Sequence, residues 1–207
     1  MKRPPCSICY RTALGLAALT LLALAGCSDK TPAHYTAVDI TGVMPDLEFT
    51  LTNENGQQVT EADYADARLN IVFFGYTSCP DVCPITLARL STALAGLDKD
   101  VRSDVNVLFV SVDPKRDTPK RLKTYTAHFG PQFIGLTGTQ QQLTKLTDAA
   151  SVSYSYGEPD KNGFYPVSHS SHIFVFDDQG DVRLLINQDE TADEITADLQ
   201  TLLQHTT

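Results

Sequence analysis

The chain has 207 residues, with 16 Lys+Arg against 25 Asp+Glu and a net charge of −9. That acidic balance argues against nucleic acid and anionic membrane surfaces as ligands. The chain has five cysteines and shows no internal repeat or low-complexity segment.

Met1 to Gly26 reads as a targeting segment. It carries Lys2, Arg3 and Arg11, no acidic residue, and an apolar stretch of 14 residues from Ala13 to Gly26. A membrane span needs about 20 residues, whereas 14 fits the core of a signal peptide. The segment ends Leu24-Ala25-Gly26-Cys27, which resembles the bacterial lipobox. That resemblance implies cleavage before Cys27, lipidation of its thiol, and a periplasmic, membrane-anchored protein. Cleavage removes three cations and no acid, so 13 Lys+Arg face 25 Asp+Glu, a net of −12. It also removes Cys6 and Cys9. With Cys27 lipidated, Cys79 and Cys83 are the remaining thiols.

Residues 27–45 read as a lipid-anchored tether, polar over most of their length, with Pro32 and no periodicity. Residues 46–207 read as one domain, long enough to bury a core. Leu47-Glu-Phe-Thr-Leu51 alternates with period two, as a half-buried strand does. Asn55-Gly56 is a hairpin turn signal, and Thr60 to Asp63 is a short capped turn. Asn70-Ile-Val-Phe-Phe-Gly75 is a continuous apolar run, the pattern of a strand buried on both faces.

Cys79 and Cys83 follow, each before a proline. In open α/β sheets ligands sit beyond the carboxyl ends of the strands, which is where these thiols fall. Residues i and i+4 on a helical turn lie about 5–6 Å apart at Cβ, so the two sulfurs can share a metal ion or close a disulfide. A purely structural disulfide is a weak explanation. It would close only a five-residue loop, worth roughly 2 kcal/mol in the chain-entropy model. Pro84 disfavours a continuous helix from Cys79. A tight turn is therefore expected over Cys79 to Val82, with the helix starting at Cys83 or Pro84. There the helix dipole is expected to lower the Cys83 thiol pKa.

Leu87, Leu90, Leu94 and Leu97 form one helical stripe that packs against the sheet. Val105 to Val112 is a second buried strand, ending in Asp113-Pro114. Asp113 suits two roles equally, facing the thiol crevice or capping the turn. Lys115 and Arg116 read as solvated charge with room for a partner contact. Thr118-Pro119 opens a helix to about Phe129, and Phe133 to Leu136 is a short strand. Thr139 to Gln142 is a capping box before a helix to about Ala150. Val152 to Tyr156 is extended, and Asn162-Gly163 turns the chain. His172–Phe176 and Val182–Ile186 flank a turn ending in Gly180, and Thr191 to Glu194 caps a last helix. The order implies a parallel core with antiparallel strands added by the late hairpin. It resembles an α/β thioredoxin-like fold with an N-terminal β-hairpin and an added β-hairpin.

Three segments narrow the resemblance. They are Gly75-Tyr-Thr-Ser-Cys-Pro-Asp-Val-Cys-Pro84, Ser111-Val-Asp-Pro-Lys-Arg-Asp-Thr-Pro119, and Val167-Ser-His169 before a strand and an Asp-Gln-Gly turn. Together they resemble the Sco/SenC family, copper-binding assembly factors for the copper site of cytochrome c oxidase. The resemblance implies that Cys79, Cys83 and His169 bind one copper ion, as Cu(I), Cu(II) or both. The chain departs from the family at Ser168, commonly Asp, and adds His172. Thiolates select Cu(I) and imidazole suits either copper state, whereas zinc ordinarily wants a fourth ligand.

Two functions fit. One is a copper chaperone passing copper to the copper-site subunit of the oxidase, with other copper carriers as partners. The alternative is a thiol–disulfide oxidoreductase cycling Cys79 and Cys83 as a catalytic redox pair, served by a thiol reductase. His169 separates them, since a pure redox dithiol needs no third donor. Oxidation is expected to join Cys79 to Cys83. His169 and His172 are three apart in a strand and the loop before it, so alternation turns them to opposite faces. His169 is expected to face the thiols.

Overall fold

The computed structural model describes residues 33–205. The targeting segment 1–26 and Cys27 lie outside the described residues. Among the described residues, the centre of the fold is β4 (Leu69–Gly75) beside β5 (Val105–Ser111) and β6 (Phe133–Thr137), all parallel. On one side the sheet continues through β9 (Ile173–Asp177), β10 (Val182–Ile186) and β1 (Val38–Asp39). On the other it continues through β2 (Thr50–Asn53) and β3 (Gln58–Thr60). β9 runs antiparallel to β4, and β2 antiparallel to β6. A separate ribbon pairs β7 (Tyr154–Tyr156) with β8 (Val167–His169). Thus the chain has the thioredoxin-like arrangement with an N-terminal hairpin and an added hairpin.

All seven residues of β4 are buried, which is why the run is apolar without alternation. Its side chains divide between two cores. Leu69, Ile71 and Phe73 face one layer, with Leu87, Leu90 and Leu94 of α1 (Val82–Ala95) and Ile195, Leu199 and Leu202 of α5 (Ala192–His205). Val72 and Phe74 face the other, with Leu143 and Leu146 of α4 (Gln140–Ala149). Each fully buried Leu or Phe contributes about 1.5–3 kcal/mol of transfer free energy, so this double-sided burial anchors the thiol-bearing end of β4.

Several elements begin where their chemistry places them. Thr118 caps α3 (Pro119–Thr126) with Pro119 at its first position. Thr139 and Gln142 close a capping box on α4. At the first hairpin Gly56 has φ +78°, and the Asn53 side chain accepts from the Asn55 and Gln57 amides, both at 3.0 Å.

Other boundaries differ from the sequence expectation. β2 starts at Thr50 rather than Leu47, because the Leu47 amide donates to the Gly180 carbonyl at 2.8 Å. α1 starts at Val82, one residue earlier than expected. Pro84 is tolerated there because the first amides of a helix have no intrahelical acceptor. α3 ends at Thr126, short of Phe129. The one-turn helix α2 (Lys99–Arg102) carries no apolar stripe and was not foreseen. Within the stretch read as tether, the Thr36 and Ala37 amides donate to the Asp198 carboxylate at 2.9 and 2.7 Å, and β1 pairs with β10.

Candidate metal centre

β4 delivers the first part of the site. At Gly75 the chain leaves the strand and turns, with the Cys79 amide donating to the Tyr76 carbonyl at 3.1 Å. The Cys83 amide then donates to the Cys79 sulfur at 3.4 Å. Asp81, formally the cap of α1, gives no side-chain hydrogen bond. The Cys79 sulfur therefore satisfies an amide that the helix start would otherwise leave open. Gly75 is required by close approach: a Cβ there would lie 2.8 Å from the Cys83 sulfur and 2.7 Å from Phe109 Cε2.

β8 delivers the rest. The His169 Nε2 lies 3.5 Å from the Cys83 sulfur. Its Nδ1 lies 2.9 Å from the Ser170 carbonyl. A carbonyl only accepts, so Nδ1 carries the proton and Nε2 presents its lone pair toward the thiols. Phe73 and Tyr76 pack edge-on around the imidazole, with centroids 6.2 and 6.1 Å away. One donor atom from each of Cys79, Cys83 and His169 lies within 4.8 Å of the others. Two sulfurs and an imidazole nitrogen form a soft, three-donor set, which fits copper.

The two cysteines are free. Cys79 is half-buried and Cys83 fully buried. Burial pushes the Cys83 thiol up, against the partial help of a backbone hydrogen bond from Tyr76. The expectation of a depressed pKa is thus reversed. Desolvation of the thiolate outweighs the favourable field of the helix terminus.

The reason for separating the two histidines also changes. β8 ends at His169 and β9 starts at Ile173, so the residues are not on one alternating strand. His169 sits at the end of the β7–β8 ribbon, opposite Tyr154. His172 is exposed in the connection and packs against the Phe174 ring at 6.2 Å. Ser168 is exposed on β8, opposite Ser155.

Asp113 is fully buried but does not reach the thiols. It pairs with Arg116 Nε and accepts from the Tyr165 hydroxyl at 2.8 Å. The Arg116 guanidinium lies 3.8 Å over the Tyr165 ring and 5.4 Å from the Tyr76 ring. Arg116 and Tyr76 thus lie between Asp113 and the His169 ring in a chain of contacts.

Sequence reasoning passed over Asp117. It is fully buried and accepts from the Thr77 amide at 2.8 Å, the Thr77 hydroxyl at 2.5 Å and the Ser111 hydroxyl at 2.6 Å. It ties the cysteine loop to the end of β5 and the start of α3. The available signal was its place, one residue before a Thr-Pro helix start and just past a buried strand.

The family model described as SCO1/SenC matches residues 44–204. A SCO2-like protein of Rickettsia conorii is 36% identical over 169 residues, covering 81% of both chains. The structure of Bradyrhizobium japonicum ScoI with copper bound is 37% identical, with a TM-score of 0.67. It covers 75% of this chain and 97% of that one. Apo Sco1 of Thermus thermophilus is 32% identical with a TM-score of 0.73, covering 83% and 99%.

Proposed function

The chain belongs to the SCO1/SenC family, and from that premise we propose that it is a copper-binding assembly factor for the copper centre of cytochrome c oxidase. Cys79, Cys83 and His169 hold one copper ion as cargo and release it by ligand exchange to the copper-site subunit. The observation that carries this reading is the convergence of three donor atoms within 4.8 Å, drawn from two distant parts of the chain. His169 favours copper handling over a purely redox dithiol. Its lone pair is aimed at the sulfurs, a feature that thiol exchange does not need.

In the same reading residues 1–26 are a signal peptide, and 27–45 lead from a lipidated Cys27 to the periplasmic Sco domain at 46–207, onto which this stretch packs through β1. No helix among the described residues is long and apolar enough to cross a membrane. The test is copper loading of the reduced protein followed by incubation with the copper-site subunit. Transfer of copper supports the reading. Retention of all copper beside a competent, empty acceptor contradicts it.

A further inference from the structure

The charge of this chain is unevenly placed. Between Asp104 and Asp148 there are two acidic residues, Asp113 and Asp117, and both are fully buried. The same stretch exposes Lys115, Lys120, Arg121 and Lys123. Five of the sixteen Lys and Arg residues fall within residues 115–123, on a chain of net charge −9. The segment comprises the β5–α3 loop and α3.

The strip borders the metal centre directly. Arg121 Nε donates to the Thr77 hydroxyl at 2.6 Å, and its Nη2 to the Ser78 hydroxyl at 2.9 Å. Those residues immediately precede Cys79. Beyond the thiols, the first turn of α1 exposes two apolar side chains, Val82 at 38% and Ile85 at 60%. Within the strip the buried Asp113 and Asp117 pair with Arg116 and Arg121, so its excess charge is carried by Lys115, Lys120 and Lys123; other carboxylates occur at its margins. Asp81 is exposed on the thiol loop. Glu54, at the far end of α3, is engaged by the Thr126 hydroxyl and the Gly135 amide, both at 2.9 Å.

We infer that the α3 face is a docking surface for the protein that receives the metal, and that this partner presents an acidic surface around its own metal ligands. The inference rests on the proposed copper-transfer function. An apolar contact beside the exchanging ligands with a charged rim is the usual anatomy of a transient protein interface. Complementary charge raises the encounter rate and sets the register of docking. Here it would bring the partner's ligands against Cys79. An anionic membrane is the poorer occupant. The chain is acidic as a whole, and a bilayer on this face would cover the thiols through which metal must leave.

The experiment uses the full chain, copper-loaded, with the copper-site subunit of its own oxidase as probe. The variant is Lys115→Glu/Lys120→Glu/Lys123→Glu, none of whose residues touches the three donors. Lys99→Glu is the control, because α2 precedes β5 at the opposite end of the sheet. Association rates are read at about 20 and 200 mM salt, which brackets strong and weak screening. The parent is expected to associate about tenfold or more faster at low salt, within the range of electrostatic steering. The triple variant should lose that advantage and keep its copper, while Lys99→Glu behaves as the parent. A parent that holds copper but associates at a salt-independent rate overturns the docking surface alone. A parent that holds no copper overturns the copper reading instead. Binding of the parent, but not the variant, to vesicles with about a quarter phosphatidylglycerol at 150 mM salt would assign the strip to membrane and overturn the proposal.

Discussion

The three donors differ in how they are held, and the differences are measurable one residue at a time. The His169 ring is locked by a backbone carbonyl on one side and two aromatic rings on the other. His172 is exposed and packs against Phe174. His169→Ala should therefore change the copper spectrum and weaken retention by more than about tenfold, equivalent to ~1.4 kcal/mol. His172→Ala should change neither by much. Chelator competition on both variants beside the parent checks this, and a larger loss at His172 would contradict the assignment. Cys83 supplies a second test. Its thiol is pushed up by burial, so in the metal-free protein it stays protonated through neutral pH. Copper must displace that proton, so apparent affinity rises with pH, about tenfold per unit for one proton released. A competition titration between pH 6 and 8 that stays flat would sink this account of Cys83.

At the scale of elements, the loop from Thr77 to Cys79 is only as well placed as the carboxylate beneath it. Asp117 accepts three hydrogen bonds, from the cysteine loop and from the end of β5. Asp117→Asn replaces one acceptor oxygen by a donor and leaves buried hydroxyl or amide donors unmatched, at about 1–3 kcal/mol. In a domain of this size each kcal/mol lowers the midpoint of melting by roughly 2–4 °C. A thermal scan should show that drop together with weaker copper retention, and an unchanged midpoint would remove Asp117 from this role. The elements themselves were legible to different degrees. β4, β5, the leucine stripe of α1 and the capped starts of α3 and α4 announce themselves, since burial on two faces and capping chemistry are local patterns. β8 did not. Three residues, Val167 to His169, pair with β7 across an intervening turn, and a strand that short carries no period. The same limit hides the break between His169 and His172, which belong to different segments and so share no strand alternation. Asp117 was missed for a related reason. A buried carboxylate is recognised by the donors that surround it, and Thr77 and Ser111 are 40 and 6 residues away. The direction of the Cys83 pKa shift is not legible in sequence, because the helix terminus is visible there and the depth of burial is not.

For the whole molecule, the mixed sheet brings the carboxyl end of β4 against the β7–β8 ribbon and so gathers donors that lie 86 residues apart. In the proposed reading, the lipid at Cys27 is what holds the domain to a membrane. Cys27→Ser should leave the protein without diacylglyceryl mass, released or unprocessed, as intact-mass spectrometry and fractionation would report; a lipidated variant would contradict the anchor. The central claim is a single shared copper site, and its most direct measurement is copper stoichiometry in the two thiol states. The reduced protein should bind one copper ion. Oxidation to the Cys79–Cys83 disulfide should abolish binding, because both sulfur donors are then committed to each other. Undiminished stoichiometry in the disulfide form would show that copper is held elsewhere.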